Sequence, residues 1–233
     1  MAINVYWACV EDQWMLADEP QTVSSVFYSK NLIDDNRGSK LNYCPSFNKN
    51  LKNLYALKSI YEYAFKVTDQ GLATNMYDQK FFEDHVVVRS MDKRFFSYQT
   101  KYIFFTDAPS LNVTFYEYPF LENNNITTRC IPVAGQFDIG KWFRNTEFAF
   151  YLKPEYDEFK IEREEIYSYM RFHTEEKINF VQFRYNDKLN SYVGDGFALT
   201  FGHFLKNLED FYKLFKNKKA ILKEIRNNLV WEM

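Results

Sequence analysis

Few residues of this chain have the type and spacing to do chemistry. His173-Thr174-Glu175, followed by His203, supplies two imidazoles and a carboxylate, the donor set of a facial triad that holds Fe(II). Residues two apart on a strand project from one face, so His173 and Glu175 with His203 meet the template by count. The chemistry would be that of a non-haem iron oxygenase. Against it, FHTEEKI (Phe172 to Ile178) reads as a hairpin turn and the glycines that support such a motif are missing. The ordinary reading puts His173 at a strand end and His203 at the start of a helix. Trp142-Phe143-Arg144 offers something different, since a guanidinium beside two rings suits cation–π contact or recognition of an anionic ligand. On a strand entered after Gly140, Trp142 and Arg144 share a face while Phe143 points into the core. Trp142 and Arg144 are therefore the candidate ligand- or partner-binding residues.

Other chemistries have less to stand on. Nucleophilic catalysis needs a cysteine or serine beside a base, but the histidines are only His85, His173 and His203, and no nucleophile elbow is present. Cys44 before Pro45 reads as a small buried hydrophobe at the start of a loop. Phosphate cradles need glycine-rich loops, and with 7 glycines in 233 residues Gly194-Asp195-Gly196 reads as a hinge before a helix. Basic and aromatic strips such as Lys93-Arg94-Phe95-Phe96 invite base stacking. A net charge of −2, with −6 outside the basic segment His203 to Leu229, argues against a general nucleic-acid binder. Cys9, Cys44 and Cys130 are odd in number and widely spaced, which indicates neither a zinc cluster nor a disulfide framework.

The elements that must position these residues are mostly strands. Phe148, Phe150 and Leu152 alternate with Glu147, Ala149 and Tyr151, the period of a pleated strand. Gly135 to Tyr185 reads as four or five such strands in an antiparallel meander. Ile3 to Val10 and Thr22 to Tyr28 predict a first hairpin, and Asn31 to Lys40 a polar loop. Phe47 to Asn53 predicts a short helix, and the strand ending at Thr68 turns at Asp69-Gln70-Gly71. Phe95 to Phe105 and Val113 to Tyr118 predict further strands. Phe204, Leu208, Phe211, Phe215, Leu222, Ile225 and Leu229 form the stripe of one long amphipathic helix, interrupted by Lys218. With 46 rings, 20% of the chain, there is ample apolar surface for a core.

Three stretches, CPSFNKNLKNLYALKSIYEY (Cys44 to Tyr63), GQFDIGKWFRNTEFAF (Gly135 to Phe150) and EEIYSYMRFHTEEKINFVQF (Glu164 to Phe183), together resemble a family of uncharacterised proteins of T4-like tailed bacteriophages, of the marine cyanophage type. The likeness spans Ile3 to Tyr185. Its most specific elements are Cys44-Pro45 with Lys52-Asn53 and the Trp142-Phe143-Arg144 cluster. It implies a phage origin and a place in the host cytoplasm or the virion, and it carries over no catalytic residues.

The expectation is a mainly β (α+β) chain of about ten strands, an antiparallel sandwich or jelly-roll-like barrel forming one domain over 1–233. Its β-rich body covers 1–199, with a helix over 200–229 packed on it. No run reaches the ~20 apolar residues that cross a bilayer. The favoured function is a non-enzymatic binding or assembly protein without a cofactor, acting on a host or phage protein. The alternative is the Fe(II) oxygenase with its pocket in the barrel.

Overall fold

Val5 to Cys9 form an apolar run without polar alternation, and in strand β1 (Ala2–Cys9) every one of them is buried. Such a run needs cover on both faces. The computed structural model describes residues 2–10, 17–29, 44–74, 79–116, 125–202 and 208–230. It shows how that cover is provided. A first sheet is ordered β14 (Lys177–Gln182), β1, β7 (Phe95–Thr106), β11 (Asn145–Leu152), β9 (Cys130–Val133), with β6 (Val86–Val88) also pairing β7. A second is ordered β10 (Gln136–Asp138), β8 (Asn112–Tyr116), β13 (Ile166–Phe172), β3 (Leu54–Lys58), β2 (Gln21–Thr22). A third small sheet joins β12 (Glu158–Ile161), β4 (Tyr63–Thr68) and β5 (Gly71–Ala73). Among the described residues all pairings are antiparallel except β1 with β14, which is parallel from Ala2↔Lys177 to Trp7↔Gln182.

The molecule is mainly β in an α+β arrangement, and among the described residues the sheets do not close into a barrel. One apolar cluster joins Val5, Trp7 and Phe104 of the first sheet to Tyr55, Val113 and Phe172 of the second and Phe65 and Phe159 of the third. Aromatic edges meet faces across this interior, as at Tyr55–Phe180 (4.9 Å, 88°) and Phe65–Phe96 (4.9 Å, 90°), a geometry worth about 0.5–1.5 kcal/mol per pair beyond the buried area. On the other side of the first sheet, Tyr6, Ala8, Ile103 and Phe105 pack under Leu189 and Val193 of α5 (Asp187–Gly202) and Ile221, Leu222 and Ile225 of α7 (Lys218–Asn227). On the other side of the second sheet, Leu54, Ala56 and Tyr169 pack with Val23 and Val26 of α1 (Val23–Ser29). The order of layers is thus helix, sheet, sheet, helices.

Several sequence expectations are corrected. Gly135 to Tyr185 does contain five strands, β10 to β14, but no two consecutive ones pair, so there is no meander. Side-chain alternation reports which face is buried and is silent on the partner strand. FHTEEKI is likewise a turn between β13 and β14, which enter different sheets. The first hairpin is absent, because Val23–Ser29 is helical and β1 pairs with β7 and β14. The single C-terminal helix is instead α5, α6 (Leu208–Leu214) and α7, broken at Phe215 to Asn217. Gly194 lies inside α5 rather than at a hinge; one mid-helix glycine costs only about 1 kcal/mol. The short helix over Phe47 to Asn53 is present as α2 (Pro45–Leu51), and the β4–β5 turn pairs Thr68 with Gly71. The remaining helices among the described residues are α3 (Gln79–His85) and α4 (Asn125–Arg129). Asn31 to Lys40, His203 and Phe204 lie outside the described residues.

Candidate functional site

Trp142 and Arg144 stand just before β11, and the turn that presents them is built on a buried carboxylate. Asp138, 2% exposed, accepts hydrogen bonds from the N–H groups of Leu111 (2.9 Å) and Gly140 (2.8 Å) and from Ser110 Oγ (2.7 Å), with Lys141 Nζ at 3.2 Å. Its own N–H donates to the Tyr212 hydroxyl at 2.7 Å, tying the turn to α6. Burial by itself would raise the Asp138 pKa, but these donors outweigh it and hold the carboxyl below its ordinary value. A Cβ on Gly140 would sit 3.0 Å from the Ala108 carbonyl oxygen and 3.1 Å from Asp138 Oδ1, a close approach that favours glycine in this turn.

Beyond the turn, Phe143 is 2% exposed and meets Phe105 edge to face at 5.2 Å, on the helical side of the first sheet. Trp142 is half-buried between Phe137 (5.7 Å) and Phe211 (4.8 Å), and the Arg144 guanidinium lies over its ring at 4.9 Å. Glu147 accepts from Arg144 at 3.1 Å and from Arg89 at 2.6 Å. Desolvation pulls the Arg144 pKa down and Glu147 opposes it. Next to this cluster β7 carries a bulge opposite Asn145 and Glu147, with Lys101 at φ 61°. The extra residues re-aim the start of β11, and the Thr100–Thr146 and Thr146–Tyr102 hydrogen bonds fill the broken ladder.

Trp142, Arg144 and Glu147 line a cleft of about 330 Å³ with Phe115, Phe137, Val133 and Ala149. Its far wall is strand β9 at the end of the first sheet, where Ile131 and Val133 are 51% and 46% exposed. Val133 pairs with Ala149 and Ile131 with Tyr151, so both project on the same face as Glu147 and the cleft. Apolar side chains on a strand at a sheet edge mark a place where another chain can add.

The iron candidates are placed differently. The imidazole of His173 is hydrogen-bonded through Nε2 to Thr114 Oγ1 at 2.6 Å, and Glu175 is ion-paired with Lys52 at 2.8 Å. That bond to Lys52 holds the Glu175 carboxyl below its usual range. Both line one open cleft together with Lys49, Lys52 and Arg171. The third candidate, His203, lies outside the described residues, among which no group of three or more His, Cys, Asp or Glu is placed to hold a metal ion. Cys9 and Cys130 are buried, and burial pushes the Cys130 thiol up to about 12, far from a reactive thiolate. No helix among the described residues is long and apolar enough to cross a membrane.

Sequence reasoning passed over Asp138, Glu147, Phe137 and Val133. A signal existed for two of them: Asp138 sits between Phe137 and Ile139, and Glu147 between Thr146 and Phe148, each an acid inside an apolar strand pattern. Compared with family models, curated proteins and solved structures, the chain matches none of them.

Proposed function

We propose that this chain is a non-enzymatic binding or assembly protein, of phage origin as its resemblance implies, that takes an extended segment of a host or virion protein along β9 and into the Trp142–Arg144 cleft. The observation that carries the reading is the continuity of the surface. Exposed Ile131 and Val133 run on one face into a cleft whose other wall is a guanidinium stacked on an indole. Strand addition supplies main-chain hydrogen bonds without sequence demand, and side-chain pockets beside it supply selectivity. Arg and Trp are the residue types that most often dominate such contacts.

A photo-crosslinking residue at Ile131, set against the same residue at Met91, which is 98% exposed, tests this in lysate of infected host cells. One partner captured from position 131 and lost in Val133→Asp is the expected outcome. Equal capture from both positions, or capture that survives Val133→Asp, overturns the proposal.

A further inference from the structure

A second cleft, of about 700 Å³, opens where α2 meets the end of β13. Its walls carry Lys49, Asn50 and Lys52 from α2 and its exit, and Arg171, His173 and Glu175 from β13 and the turn after it. We propose that this cleft binds a phosphomonoester, the phosphate group of a small phosphorylated molecule. The inference is independent of the partner surface on β9.

Charge is the first argument. Three cations, Lys49, Lys52 and Arg171, face one carboxylate, Glu175, a local net of +2 on a chain whose formal net charge is −2. The cations come from segments some 120 residues apart in sequence that the fold brings together, since Arg171 and Asn50 are separated by 121 positions. Like charges gathered in one concave place repel unless an anion joins them.

Order is the second. Arg171 Nη2 donates to the Asn50 backbone carbonyl and to Asn50 Oδ1 (3.0 Å), which fixes the plane of the guanidinium. Asn53, in the left-handed region at φ 54°, donates from Nδ2 to the carbonyls of Thr174 (2.7 Å) and Glu176 (2.9 Å), and its own carbonyl accepts from the Phe172 N–H at 3.0 Å. The helix exit is thereby locked to the turn that bears His173 and Glu175. Thr114 holds the His173 ring from the sheet side. The Arg171 guanidinium and the backbone next to Lys52 are thus held in place, which lowers the ordering cost of binding.

The third is Glu175 itself. Its carboxylate occupies Lys52 at 2.8 Å, but the two side chains are 81% and 46% exposed, and an ion pair in water contributes only about 0–1 kcal/mol. A phosphate dianion, with more charge and three acceptor oxygens, displaces it and reaches Arg171 and the lysines together. The volume falls in the range of about 300–1,000 Å³ typical of small-molecule sites.

Titration calorimetry of the purified chain at low ionic strength, with inorganic phosphate and adenosine monophosphate as probes, tests the proposal. Saturable one-site binding, weakened at least about tenfold in Lys49→Gln/Arg171→Gln at unchanged melting temperature, is expected. If loss of the Arg171–Asn50 bonds unfolds that variant, Lys49→Gln/Lys52→Gln carries the same expectation. Glu175→Gln should bind about two- to fivefold tighter, the size of an exposed ion pair, while the remote Glu155→Gln should bind as the parent does. Tighter binding of adenosine monophosphate than of phosphate identifies an organic phosphomonoester. Binding of phosphate alone reduces the site to one for the free ion and overturns the small-molecule assignment. No saturable binding of either probe, binding untouched by both double variants, or an equal gain in Glu155→Gln overturns the site.

Discussion

At the scale of single residues, Asp138 shows how a buried charge becomes a structural rivet. Its donors come from two main-chain N–H groups, a serine and a lysine, and hydrogen bonds to a charged group contribute about 1.5–3 kcal/mol. In Asp138→Asn an amide N–H₂ can be turned toward those donors, so the variant should lose about 2–3 kcal/mol of stability in urea titrations near neutral pH. The folded carboxyl titrates below its ordinary value. Its stabilisation is therefore complete above the unfolded value, about 3.9, and fades as pH falls through the folded one. The gap between parent and Asp138→Asn should close in acid; a gap that stays constant down to pH 2 would refute the assignment. Phe143→Ala should cost about 3–5 kcal/mol and Trp142→Ala less, because Phe143 is 2% exposed and Trp142 half-buried. Melting curves in which Trp142→Ala is the worse of the two would make Trp142 a packing residue. For His173, Glu175 and His203, elemental analysis should find no stoichiometric iron; one iron per chain, lost in His173→Ala, would restore the oxygenase reading.

At the scale of elements, what was legible was the period and what was not was the partner. Phe148, Phe150 and Leu152 are buried on β11 while their neighbours are half-exposed, which alternation alone predicts, and Thr146 extends the buried set by one. Nothing in β13 or β14 says that the first joins β8 and β3 while the second lies parallel to β1. The two strands meet instead across the sheets, where Phe172 of β13 and Phe180 of β14 pack on each other and on Tyr55. The C-terminal stripe was read correctly at Phe211, Leu222 and Ile225, all buried, yet as one helix instead of segments. The misfit was visible in Lys218, which opens α7 by donating to the Ala108 carbonyl and lying 5.8 Å from the Phe105 ring. The candidate site was legible at Trp142 and Arg144, whose types announce themselves, and illegible at β9, whose Ile131 and Val133 are exposed on the last strand of the sheet. Phe211 is 4% exposed and packs against Trp142 with the rings tilted at 52°, so Phe211→Ala should cost about 3–5 kcal/mol. Lys216→Ala, exposed in the helix break, should leave the midpoint unchanged. Equal midpoints for the two would show that α6 is not held by that ring.

At the scale of the whole molecule, one apolar cluster draws residues from all three sheets, so unfolding should be a single cooperative event. Far-ultraviolet circular dichroism and tryptophan fluorescence should give superimposable urea transitions, and separated midpoints would divide the chain into independent units. The same topology has a consequence in time. β1 lies between β7 and β14, and its last residue, Cys9, precedes Lys177, the first of β14, by 168 positions. At about 5–20 residues per second, a ribosome that has finished β1 needs about 8–34 seconds more before its parallel partner begins to emerge. Throughout that interval one edge of a strand whose Val5 to Cys9 run is buried in the finished fold stays open to the wrong neighbour. The first segment of the chain therefore waits longest for its neighbour, and shelter for it during synthesis is what this topology asks of the cell.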